Sequence, residues 1–146
     1  MMHPLWTFAE IASAIRGKAS ADGEVHGVSI DSRTTRSGDM FLAFKGPNQD
    51  GHNYVRQAMA KGAVGAIVSR DDLDLSETFP TILVGDTAQA LETLGQAARS
   101  RTGAKIIGVT GSVGKTGTKE ALLRALGRSG PTHASERAIT MILACP

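Results

Sequence analysis

The 146-residue chain holds a single cysteine, Cys145. One thiol cannot build a disulfide framework or a cysteine-rich zinc site. Aromatic residues make up only 4% of the sequence, which argues against a stacking platform for single-stranded nucleic acid. No excess of one charge sign is present either: 16 Lys+Arg face 14 Asp+Glu. The two signs are interspersed, so there is no basic stripe for a phosphate backbone and no nucleic-acid partner is expected. Apolar runs are short. Ala63–Val68 is among the longest, far below the roughly 20 residues of a membrane span. The opening stretch, MMHPLWTFAE, has neither a basic n-region nor an apolar h-region, so no secretory signal is expected and the cytoplasm is the expected location. What is present is ordinary: 41% hydrophobic and 21% charged residues in 15.2 kDa. That composition excludes a disordered chain and suits one domain, or a small domain plus part of a second.

The pattern along the chain alternates strands and helices. Thr7 and Glu10 are spaced as a capping box, and Phe8, Ile11, Ala12 and Ile15 follow at helical spacing, with Gly17 placed to end the turn. Val25–Asp31 reads as a strand with Val28 and Ile30 on one face, and Met40–Phe44 as a second. Ser37-Gly38-Asp39 is a turn signal between them. Residues 45–53 form a glycine- and proline-bearing loop. Val55, Ala58 and Met59 suggest a helix stopped near Gly62. Ala63–Val68 and Thr81–Val84 read as buried strands, separated by an acidic, exposed Ser69–Pro80 segment. Thr87 is placed to cap a helix reaching Ser100, with Leu91, Leu94 and Ala98 inward. A linker at 100–103 precedes a strand at Lys105–Thr110, a loop at Gly111–Gly114 and a helix at Thr116–Leu126, whose Leu122, Ala125 and Leu126 share a face. This order predicts an α/β fold with a boundary near residues 101–104.

The most informative stretch is Ile106-Ile107-Gly108-Val109-Thr110-Gly111-Ser112-Val113-Gly114-Lys115-Thr116. A buried strand feeds a glycine turn that opens a helix. Gly111 and Gly114 let backbone N–H groups converge on a phosphate without a Cβ in the way. The helix N-terminus adds its positive dipole end. Lys115 can reach the β and γ phosphates, and the Thr116 hydroxyl can sit on Mg²⁺. The usual first glycine of the G-x-x-x-x-G-K-[ST] form falls at Val109, so the loop is a T-G-x-x-G-K-T variant.

This variant resembles the loop of the Mur ligases, ATP-dependent amide ligases of peptidoglycan synthesis. The upstream half agrees in order: Ser29-Ile30-Asp31-Ser32-Arg33-Thr34, then Ser37-Gly38-Asp39-Met40-Phe41-Leu42-Ala43, Lys45-Gly46, Asp50-Gly51-His52, and Ala58 through Gly62-Ala63. These are similar to the N-terminal UDP-sugar-binding domain of two members. One adds the third residue of the stem peptide, the other D-alanyl-D-alanine. The continuation Gly117-Thr118-Lys119-Glu120 resembles the latter.

The resemblance implies an α/β UDP-sugar-binding domain over residues 1–102 and the opening strand, P-loop and helix of a truncated P-loop ATPase domain over 103–146. It implies ATP and Mg²⁺ as cofactors, with UDP-N-acetylmuramoyl-tripeptide and D-alanyl-D-alanine as substrates joined through an acyl phosphate. ATP would be held by Thr110, Gly111, Ser112, Val113, Gly114, Lys115, Thr116 and Gly117. Lys115 would be catalytic, and Thr116 would be a Mg²⁺ ligand. The UDP-sugar would fall to Asp31, Ser32, Arg33, Lys45, Gly46 and His52. Ser32 offers a hydroxyl and Arg33 a guanidinium apt for phosphate or a planar base edge. Asp31 either orients that turn or caps the strand end. Lys45-Gly46 either brings backbone close to ligand or makes a tight turn. His52 either touches the nucleotide or is a structural loop histidine.

The tail departs from the family pattern. After Ala134-Ser135 an Asn-Asn-x-x-Gly-Val-Pro segment would follow, where this chain has Glu136 to Pro146. Back-translation begun two bases into the Glu136 codon permits that motif, so the tail is expected to be an out-of-frame reading. The chain alone is then expected to lack ligation activity and to leave the strand at residues 106–110 without sheet partners. The competing readings are a third-residue ligase fragment, a free-standing P-loop NTPase or small-molecule kinase, and a UDP-sugar-binding module without turnover.

Overall fold

Thr7 does what its spacing with Glu10 predicts. In the computed structural model, which describes residues 3–75, 78–134 and, as backbone, 140–144, its hydroxyl accepts from the Glu10 N–H at 3.2 Å. The Glu10 carboxylate accepts from the Thr7 N–H at 2.7 Å. Two orphan donors of helix α1 (Phe8–Ile15) are thereby satisfied, and Phe8, Ile11, Ala12 and Ile15 are buried as their spacing requires. The helix ends at Ile15, two residues before Gly17. Arg16 takes the left-handed conformation at φ 54° and Gly17 donates back to the Ala12 carbonyl at 2.9 Å.

The chain divides between Ala98 and Arg99 into two units. In the first, a short ribbon pairs β1 (Trp6–Thr7) antiparallel with β3 (Glu24–Val25). The main sheet contains β2 (Lys18–Ala19), β4 (Gly27–Ser29), β5 (Asp39–Leu42), β6 (Gly65–Val68) and β7 (Thr81–Leu83), in the order β2-β7-β6-β5-β4. β4 through β7 run parallel, in register Val28↔Met40, Phe41↔Ala66 and Ile67↔Ile82, while β2 closes one edge antiparallel. Helix α2 (Val55–Ala60) and helix α3 (Thr87–Ser100) complete the unit.

A parallel sheet covered on both faces needs apolar residues at successive positions. β5 supplies them: Met40 and Leu42 join α1, α3, Ile67 and Ile82 in one core, while Phe41 and Ala43 join Val55, Ala58, Ala66 and Val68 of the α2 side in another.

Several expectations are corrected. The predicted strand Val25–Asp31 splits, because Val25 pairs in the ribbon and is fully buried, whereas Ile30 lies beyond β4 and is 53% exposed. Asp86, not Thr87, caps α3, its carboxylate accepting from the N–H groups of Ala88 and Gln89 at 2.7 and 3.0 Å. Ala90 and Leu94 face the core with Ala97, whereas Ala98 is exposed. The Ser69–Pro80 segment is not wholly exposed, since Leu73, Leu75 and Phe79 pack on the second core. Among the described residues, no helix is long and apolar enough to cross a membrane.

The second unit contains β8 (Lys105–Val109), α4 (Lys115–Leu126), β9 (Thr132–Ala134) and β10 (Thr140–Ala144). Its sheet order is β8-β10-β9 and both pairings are antiparallel. The expectation of a strand without partners is therefore corrected. β10 covers one edge of β8 from Lys105 to Val109, and the pairing is antiparallel, not the parallel kind expected beside a P-loop strand. α4 has partly buried Leu122, Leu123 and Leu126, and Ala125 is exposed. The remainder of the tail, 135–139 and 145–146, lies outside the described residues.

Candidate functional site

Two groups of candidate residues lie at the ends of strands, one in each unit. In the first unit the chain leaves β4 through a turn built on the Asp31 carbonyl. That oxygen accepts from the hydroxyls of Ser29, Thr34 and Thr35 at 3.0 to 3.1 Å and from the Thr34 N–H at 3.0 Å. The Asp31 carboxylate grips Arg33 in a fork, Nε to Oδ1 at 2.9 Å and Nη2 to Oδ2 at 2.7 Å, and takes the Arg33 N–H at 3.0 Å. This pairing raises the guanidinium pKa further, chiefly through the hydrogen bonds to Asp31 and then through its charge. The Arg33 side chain is 77% exposed. A guanidinium carries five N–H donors, so it keeps donors beyond the two in the fork.

Ser32 is buried, and its hydroxyl donates to Gln57 Oε1 at 2.8 Å. It ties the turn to α2, and Lys61 does the same by donating to the Arg33 carbonyl at 3.0 Å. Gln57 and Lys61, one helical turn apart, were missed in the sequence because nothing in their spacing separates them from other exposed helix residues.

β5 leads into a hairpin. Lys45 bridges Asp50, and Gly46 donates to the Gln49 carbonyl at 2.8 Å, so Lys45-Gly46 does open a tight turn. Lys45 is exposed and Gly46 half-buried. Gly51 packs so closely on Phe44 that a Cβ would lie 2.7 Å from its backbone N and O. His52 follows in a 3-10 turn, Gly51–Tyr54. Its side chain is 1% exposed. Nδ1 lies 2.5 Å from Asp50 Oδ1, and Nε2 accepts from the Ser69 N–H at 2.9 Å. Both ring nitrogens are thus engaged by the protein.

Burial acts to raise the Asp50 pKa, but the backbone and ring hydrogen bonds from His52, with the charge of Arg70, hold it below its ordinary value of 3.8. A carboxyl depressed on folding stabilises the fold above its unfolded pKa, and that stability is lost as pH falls through the folded value. The stability gap between wild type and Asp50→Asn, measured by urea unfolding, should therefore close as pH drops below about 4. A gap unchanged down to about pH 2.5 would remove the Asp50 carboxylate as its source.

In the second unit the loop after β8 turns at two glycines, Gly111 at φ 151° and Gly114 at φ 77°. Gly114 caps α4 with no side-chain hydrogen bond, and the first helical bond runs from the Thr118 N–H to the Gly114 carbonyl at 3.0 Å. The N–H groups of Lys115, Thr116 and Gly117 therefore precede the helical ladder. A Cβ on Gly114 would meet nothing within 4 Å, so the space above the cap is open. Lys115 folds over the loop and donates to the Gly111 carbonyl. Thr110, Ser112 and Thr116 are exposed, and Val113 is 87% exposed. Open space, uncapped donors and a lysine beside them fit a polyphosphate. For Mg²⁺ the loop offers the Thr116 hydroxyl; among the described residues no group of three or more His, Cys, Asp or Glu could hold a metal ion.

An α/β chain with a mostly parallel sheet, followed in sequence by a strand, glycine loop and helix, is the class that these elements define. The chain belongs to the Mur ligase family: residues 24–101, more than half of it, match the Mur ligase family, catalytic domain. It is 39% identical over 127 residues to a UDP-N-acetylmuramoyl-tripeptide–D-alanyl-D-alanine ligase of Synechocystis, a match covering 87% of this chain and 28% of that protein. A crystal structure of MurF from Acinetobacter baumannii superposes with a TM-score of 0.69 at 37% identity, over 86% of this chain and 28% of that one. MurF of Thermotoga maritima, solved in complex with ADP, matches at TM-score 0.51 and 33% identity over 70% of this chain and 23% of that one. The chain spans about a quarter of the length of the curated relatives it matches.

Proposed function

We propose that this chain is the UDP-sugar-binding domain, residues 1–102, and the P-loop segment, residues 103–146, of a cytoplasmic ligase. That ligase adds D-alanyl-D-alanine to UDP-N-acetylmuramoyl-tripeptide with ATP and Mg²⁺. The observation that carries the reading is the uncapped start of α4 behind Gly111 and Gly114, with Lys115 laid over the loop, in a chain whose relatives bear that ligase's name. ATP, when bound, supplies the phosphoryl group that activates the sugar-peptide carboxylate. The backbone N–H groups of residues 114–117 would hold its phosphates, Lys115 would offset their charge, and Thr116 would contribute one oxygen to Mg²⁺. Thr110 to Val113 shape the loop. The chain spans about a quarter of the ligases it resembles, and on its own it is expected to bind without turnover.

At the other site Asp31 orients Arg33 toward the UDP end, and Lys45 and Gly46 line the neighbouring strand end. Ligands of parallel sheets bind outside the carboxyl ends of the strands, which is where these residues stand. Arg33→Ala should weaken UDP-N-acetylmuramoyl-tripeptide binding, because a charge-assisted hydrogen bond is lost. Calorimetry with the purified chain measures it, and an unchanged affinity removes Arg33 from the site. Ligation product from the 146-residue chain alone would overturn the reading of binding without turnover.

A further inference from the structure

Resting on the UDP-sugar reading above, we propose that His52 is a positioning residue. With Asp50 and Ser69 it fastens the Lys45–Asp50 hairpin to the carboxyl end of β6, and so holds Lys45 in place for the UDP end of the substrate.

The partners dictate one protonation pattern. A backbone N–H can only donate, so the Ser69 N–H at 2.9 Å makes Nε2 an acceptor. The ring proton then sits on Nδ1 and is given to Asp50 Oδ1 at 2.5 Å. Asp50 also accepts the His52 backbone N–H at 3.0 Å, so the carboxylate fixes both the ring and the turn that carries it. The Ser69 hydroxyl lies 3.2 Å from Nε2.

The hairpin is internally complete. Gly46 bonds Gln49, Lys45 bridges Asp50, and Gly51 donates to the Phe44 carbonyl at 2.9 Å. The His52–Ser69 bond and a looser ion pair, Arg70 to Asp50 at 3.7 Å, tie it to the segment after β6. Val55 and Ala58, which anchor the following helix, belong to a separate apolar core. Loss of the imidazole thus frees the hairpin as a unit without emptying that core.

Calorimetric titration of the 146-residue chain with UDP-N-acetylmuramoyl-tripeptide tests this. His52→Ala and Asp50→Ala should each bind about tenfold more weakly or worse. Asp50→Asn, which keeps an acceptor oxygen, should stay within about threefold of wild type. Ile82→Val, a core change remote from the hairpin that lowers stability, should bind like wild type. Nitrogen NMR of wild-type His52 should show a protonated Nδ1 and a pyridine-like Nε2, and Ser69 amide exchange should accelerate in His52→Ala. Wild-type affinity in His52→Ala, equal losses in Ile82→Val, or the opposite tautomer would overturn the inference alone. No binding by the wild-type chain would overturn the UDP-sugar reading and this inference together.

Discussion

Lys115→Ala is expected to abolish ligation in a chimera that joins residues 1–134 of this chain to the remaining length of the Synechocystis relative. The loss should be about a thousandfold or more in kcat, the scale at which phosphoryl-transfer enzymes depend on a positioned cation. Lys115 is the first residue of α4, directly behind the Gly114 cap, and its ammonium is drawn back onto the Gly111 carbonyl. That contact places a positive charge beside the N–H groups of the helix start before any ligand arrives. A bound polyphosphate gives the ammonium a stronger acceptor than a peptide carbonyl. Removal leaves the backbone donors in place, so binding should weaken and turnover should suffer most. Product formation is followed with the tripeptide substrate and D-alanyl-D-alanine, with ATP affinity measured in parallel. A chimera that ligates within about tenfold of its parent after the substitution would show that Lys115 does not face the transferred phosphate.

Gly51→Ala should destabilise the first unit by about 3 kcal/mol or more. The added Cβ would stand 2.7 Å from both the N and the O of Phe44, and backbone cannot swing aside as a side-chain end can. Phe44 is held by its N–H to the Leu42 carbonyl at 2.8 Å and by its carbonyl to the Gly51 N–H at 2.9 Å. Relief requires the end of β5 or the 3-10 turn to shift. Gly95→Ala is the matched control. That glycine lies inside α3 with nothing within 4 Å of its would-be Cβ. The change should raise stability by about 0.5–1 kcal/mol through helix propensity alone. Chemical denaturation of the two variants against wild type measures both signs, and a Gly51→Ala midpoint equal to wild type would mean the strand end is soft.

The elements of the first unit were legible where local chemistry is decisive. The Thr7–Glu10 box, the apolar run of β6 and the turn at Gly38 are written in a few adjacent residues. What was not legible depends on partners distant in sequence. The two-residue strands β1 and β2 exist because Val25 and Ile82 are there to pair with their neighbours, and no periodicity can appear in two positions. Ile30 alternates correctly with Val28 but lies past the last residue that β5 covers. At the site, Asp31 and Arg33 could be picked out by type, whereas the burial of Ser32 by Gln57, across 25 positions, could not. In the second unit the strand, loop and helix were evident, and β10 was not, because its sequence was read as lying out of frame.

The two halves of the core differ in bulk. The α1 and α3 side is filled by Met40, Leu42, Ile67 and Ile82, the α2 side largely by Ala43, Ala58, Ala63 and Ala66. Methyl-sized side chains let a helix seat close to a sheet and leave no slack for a larger group. α2 is also the rod from which Gln57 and Lys61 hold the Ser32–Arg33 turn. One added carbon beneath the helix at Ala58 or Ala66 would lift that rod and tilt the guanidinium at its far side. The set of the Arg33 turn is therefore governed by the volume of alanines that do not touch it.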